Sequence, residues 1–180
     1  MLLMPNSPIY RPSVGTWQTV FSANTSGTES GWGGYTIVNV MAAANHTYSG
    51  LGSKIRVTLD VPASGNGQYG PVYVGHAAAR GDTYDFDGNQ VKLTFSAADT
   101  ITPSAGSVLI TDEVNFSFDG SKNVVCRFTG TGGTLSHVNP GPTGVSGYYN
   151  NSTASVGTTD VPFWTAYGAR TYIKKIEVFA

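Results

Sequence analysis

The stretch that decides the fold is residues 107–130, SVLITDEVNFSFDGSKNVVCRFTG. Val114, Phe116 and Phe118 alternate with Asn115 and Ser117. After Asp119-Gly120-Ser121 a second set, Val124, Cys126 and Phe128, alternates with Val125, Arg127 and Thr129. A period of two lays each set on one face of a pleated strand. The Asp-Gly pair between them is turn chemistry, so the stretch reads as a β-hairpin closed through a positive-φ glycine. Its apolar face needs a second sheet to cover it.

The same alternation recurs on both sides. Residues 53–61 set Ile55, Val57, Leu59 and Val61 against Lys54, Arg56, Thr58 and Asp60, the pattern of a sheet with one wet face. Residues 17–23, 35–41, 71–78 and 90–96 read as further strands, and shorter ones are expected near 135–138, 144–149 and 154–156. The last strand, 170–179, breaks its alternation at Lys174-Lys175, which predicts a β-bulge. Helical periodicity is absent throughout. The expectation is one all-β domain, 16–180: an antiparallel two-sheet β-sandwich, a jelly roll first and an immunoglobulin-type sandwich second. Residues 1–15 carry Pro5, Pro8 and Pro12, which forbid helix and predict an extended N-terminal arm, with Ile9 and Tyr10 as its assembly anchors.

Composition bounds the function. Of the 180 residues 12% are charged, about half the ~25% of an ordinary soluble domain, and Gly, Ser, Thr and Asn fill the surface instead. A net charge of −1 with ten scattered Lys and Arg leaves no footprint for a nucleic-acid backbone, so no nucleic acid is expected. No apolar run approaches the ~20 residues of a membrane span, and MLLMPNSPIYRPSV lacks the charged region and long apolar core of a secretory signal. The single Cys126 excludes an intrachain disulfide and reads as a small buried hydrophobe.

The residues that could carry chemistry are few. His46, His76 and His137 lie far apart in sequence and suggest no metal site. Asp82, Asp85 and Asp87, in RGDTYDFDGN, form an oxygen-rich loop that is a weak calcium candidate; the competing reading is a polar turn, and otherwise no cofactor is expected. Trp32, Tyr148, Tyr149, Trp164 and Tyr167 fall in or beside Gly-rich loops. Flat rings there can stack on sugars or anchor a protein interface, or they can plug the ends of the sandwich.

From Tyr84 to Phe128 the order QVKLTF, ITPSAGSVLITDEVNFSF, NVVCRF resembles the β-sandwich domain that accompanies the catalytic domain of some SGNH-type (GDSL-like) esterases. Jelly-roll modules of this look also occur among carbohydrate-binding modules and virion proteins of tailed phages. The resemblance implies the fold. It does not bring the hydrolase activity with it, because Gly81-Asp82-Thr83 lacks the serine of a Gly-Asp-Ser-Leu block and no Asp-x-x-His follows near the C-terminus. The expectation is therefore a non-catalytic phage virion structural protein, a capsid decoration protein or a tail or fibre subunit. It would be a homo-oligomer among other virion proteins, with a surface that could reach cell-surface glycan. The alternative is a free-standing carbohydrate-binding module, extracellular or on a cell surface.

Overall fold

The alternating β-branched and aromatic residues become strands. The computed structural model describes residues 15–64, 67–161 and 164–180, and among them thirteen strands form. They are β1 (Trp17–Ser22), β2 (Gly27–Ser30), β3 (Tyr35–Met41), β4 (Leu51–Asp60), β5 (Gln68–His76), β6 (Val91–Leu93), β7 (Val108–Ile110), β8 (Val114–Asp119), β9 (Val124–Gly132), β10 (Thr134–His137), β11 (Val145–Asn150), β12 (Thr165–Ala166) and β13 (Ile173–Phe179). The predicted arm, with Ile9 and Tyr10, lies outside the described residues apart from Gly15.

Two antiparallel sheets make a sandwich. The five-stranded sheet runs β1-β13-β4, after which β4 pairs with β8 along its first half and with β7 along its second; the six-stranded sheet runs β12-β11-β3-β9-β5-β6. A two-stranded ribbon, β2-β10, stands apart. The all-β antiparallel sandwich expected from the sequence is the one observed. Ile55, Val57 and Leu59 of β4 meet Cys126 and Phe128 of β9 and Val72 and Val74 of β5 in the shared core. Each fully buried aliphatic side chain there contributes roughly 1.5–3 kcal/mol relative to exposure. The register shift between Ile173 and Lys175 is the bulge that the lysine pair predicted.

Residues 107–130 correct the hairpin reading. β8 pairs with β4 in one sheet while β9 pairs with β3 and β5 in the other, so Asp119–Asn123 carries the chain across the sandwich as an arch. Phe116 and Phe118 then face Val124, Cys126 and Phe128 across the core instead of flanking them in one sheet. Gly120 is needed for space and not for a positive φ: a Cβ there would stand 2.4 Å from the Ser49 carbonyl carbon. Asp119 fixes the arch by accepting from the Ser121 N–H (3.0 Å) and hydroxyl (2.7 Å). A second correction concerns residues 154–156, where Thr153–Ser155 is a 3-10 turn and no strand forms.

The six-stranded sheet is covered on both faces. Val38, Val40 and Val125 point away from the main core and pack under Phe86, Val161 and Trp164, which arrive from the loops after β5 and β11. This secondary core explains why β3 and β9 are buried along nearly their whole length.

Candidate functional site

The aromatic residues singled out from the sequence split into two groups on opposite faces of the six-stranded sheet, because Tyr148 and Tyr149 are neighbours on one strand and point opposite ways. Trp32 collects the edges of Tyr35, Tyr149, Tyr167 and Tyr172, with ring centroids 5.4–5.6 Å away. At the centre of this group sits Glu29 of β2. It accepts from the hydroxyls of Tyr167 and Tyr172 (2.5 Å each), from the Arg170 guanidinium (2.5 Å) and from Trp32 Nε1 (3.3 Å). Burial pushes the Glu29 carboxyl up, but the donors from Arg170, Tyr167 and Tyr172 outweigh it and hold the group down at about 2. Arg170 also stacks over the Tyr167 ring, 4.1 Å from its centroid. Glu29, Arg170 and Tyr172 were not singled out from the sequence; a lone acid in a Ser/Gly-rich loop gives no local signal of its partners about 140 residues away in the chain.

The second group is built on Arg127. It sits in the outward register of β9, yet it is fully buried because Phe86 and Trp164 close over it, 4.3 and 5.1 Å from the guanidinium carbon. The guanidinium donates to the carbonyls of Tyr84 (2.6 Å), Thr158 (2.5 Å) and Ser155 (3.3 Å) and reaches the Asp85 carboxylate at 3.4 Å. Burial lowers the guanidinium to about 10, with Asp85 and Asp160 opposing, so the charge persists at neutral pH. Tyr148 and Tyr84 cap the group edge to face, centroids 4.9 Å apart.

This arrangement distributes the three aspartates of the calcium candidate. Asp85 turns inward to Arg127 and the Val161 N–H (3.3 Å). Asp82 accepts from the Tyr84 hydroxyl (2.6 Å), which raises the phenol to about 12. Asp87 caps the Asn89 N–H (3.0 Å) and faces Lys122 (3.6 Å). Among the described residues no three His, Cys, Asp or Glu side chains gather as a metal-binding group.

Trp32 and Trp164 keep only 7% and 9% of their surface, so neighbouring side chains cover the faces that a sugar would stack on. Tyr148, Tyr149 and Tyr167 are half-buried. A shallow open hollow of about 250 Å³ lies beside Tyr148, lined also by Ser146, Ala166 and Gly168.

His76 and Cys126 serve the interior. His76 Nε2 accepts the Asp119 N–H (3.1 Å) beneath Phe116, and burial lowers its pKa. Cys126 is fully buried, which pushes its thiol well up and leaves no thiolate to react. Among the described residues no helix is long and apolar enough to cross a membrane.

The outer face of the five-stranded sheet combines paired charges with exposed apolar side chains. Its centre is ionic: Arg56 donates to Glu177 at 2.9 Å, Lys175 reaches the same carboxylate at 3.0 Å, and Lys54 pairs with Glu113 at 2.5 Å. One corner is aromatic, with Trp17 edge-on to Phe179 at 5.6 Å. At the opposite corner β7 ends the sheet with Val108 and Ile110, 50% and 54% exposed, while Leu109 between them is buried. Neither the protein-family models nor the curated proteins compared with this sequence give a match, so the site is defined by its own geometry.

Proposed function

We propose that this chain is a non-catalytic structural protein of a tailed-phage virion, a capsid decoration protein or a tail or fibre subunit, that acts through its surfaces. One observation carries the reading. Glu29, Asp85, Arg127, His76 and Cys126 are spent on holding the fold, while apolar Val108 and Ile110 stand exposed on a terminal strand. An exposed apolar edge is a liability in a lone monomer and an asset in an assembly. The resemblance to virion jelly rolls and the proline-rich arm with Ile9 and Tyr10 point the same way. Immunogold microscopy of phage particles, with antibody raised against the purified protein, should label one structure at regular spacing. Unlabelled particles, or turnover of acetyl or nitrophenyl esters by the pure protein, would refute the proposal.

The hollow beside Tyr148 favours a second reading, a carbohydrate-binding module, because a half-buried ring with Ser146 beside it can seat a sugar edge. Glycan-array binding lost in Tyr148→Ala would support it, and an empty array would dismiss it.

A further inference from the structure

Strand β7 is an unfinished edge. Val61 N–H donates to Ser107 and Thr111 N–H donates to Val57, each at 2.9 Å, so Ser107, Leu109 and Thr111 turn their backbone groups toward β4. By alternation the N–H and C=O of Val108 and Ile110 face the free side, beneath the two exposed side chains. We infer that this edge is completed by residues 8–12 of a second copy of the chain, PIYRP, added as a strand with Ile9 beside Ile110. The inference rests on the assembly reading above and names the partner of that surface.

The segment suits the place. Pro8 and Pro12 bracket three residues that keep their N–H groups, and proline is tolerated in a strand that becomes the new sheet edge. The described chain begins at the other end of the same sheet. Thr16 and Ala180 exchange backbone bonds at 2.7 and 3.1 Å, and a Cβ on Gly15 would meet the Phe179 ring at 2.5 Å, so the chain enters against Phe179 at the β1 edge.

Distance decides whose arm it is. To lie outside β7, a protomer's own Ile9 would have to cross four strand spacings of ~4.8 Å and about six residues of ~3.3 Å along the strands, because Gly15 lies level with Gly52 and Ile110 with Thr58, roughly 28 Å on the diagonal. The six steps from Gly15 to Ile9 reach at most about 20–22 Å when fully extended. That route would also lie over the Arg56–Glu177–Lys175 ion pairs and strip water from them. A neighbouring copy approaching the open edge meets neither limit, and exchange of identical arms closes as a symmetric pair.

The test uses two single variants of the full chain, Ile9→Cys and Ile110→Cys; the native Cys126 is buried and does not compete. Mixed and oxidised, they are expected to give a covalent heterodimer whose linking peptides join positions 9 and 110, and deletion of residues 1–14 should lower the light-scattering mass from dimer to monomer with unchanged circular dichroism. No 9–110 linkage in the mixture, or an intrachain linkage in a third variant that carries both Ile9→Cys and Ile110→Cys, would overturn the inference. Both measurements use purified protein without particles. A heterodimer with unlabelled virions would keep the arm exchange and discard the virion reading, and labelled virions without the linkage would do the reverse.

Discussion

Replacing Arg127 with Ala tests the claim that one buried guanidinium fastens the loops over the six-stranded sheet. The change leaves the Asp85 carboxylate buried without its cation and strips donors from the carbonyls of Tyr84, Thr158 and Ser155. Removing one partner of a buried pair costs about 3–5 kcal/mol. The loops could escape that cost by lifting into water, but this would expose Phe86, Val161 and Trp164, at roughly 1.5–3 kcal/mol each, about 5–9 together. The first figure is smaller, so the loops stay seated and the native state carries the loss. At about 2–4 °C per kcal/mol for a domain of this size, the midpoint of thermal unfolding falls by roughly 6–20 °C. Hydrogen exchange should quicken in residues 84–86 and 155–161 while Ile55–Leu59 stays protected. A fall under about 2 °C, or faster exchange in β4 instead of the loops, would refute the reasoning.

Three further outcomes are expected. Glu29 has a folded pKa near 2, below the unfolded 4.5, so its stabilisation is present above pH 4.5 and lost as pH falls through 2; Glu29→Gln should flatten acid unfolding across that window in melts at stepped pH. His76, whose neighbours Asp87, Lys122, Asp119 and His46 are the charges that act on it, has a pKa lowered by burial, so the unfolded chain takes the proton first and stability drops as pH falls through 6.5; His76→Gln should remove that slope in melts between pH 7.5 and 5. Cys126 should resist a thiol reagent in the native protein and react fully in denaturant, and rapid native labelling would show that the core at β9 is open.

The alternation at Ile55–Leu59 and the bulge at Lys174-Lys175 were legible because apolar spacing along a strand states directly which face is covered. The same spacing around Asp119-Gly120 could not separate a hairpin from an arch. Both put Phe118 and Cys126 on apolar faces, and only the approach of Ser49 to Gly120, some 70 residues away in the chain, decides between them. The burial of Arg127 was not legible for a related reason: alternation places it only on the face opposite Cys126, and distant loops bring Phe86 and Trp164 over it. The aromatic candidates were found as residues but not as two groups, since the partners that organise them, Glu29 and Arg127, are recognisable only after folding.

The pairing of Thr16 with Ala180 has a practical corollary for engineering. The first described strand and the last residue leave the sandwich side by side, so a cargo fused after Ala180 would emerge beside the root of the arm and compete with it for space. Circular permutation avoids this. New ends can be opened at residues 99–100, which are exposed and lie just past the Phe95–Ala98 bridge.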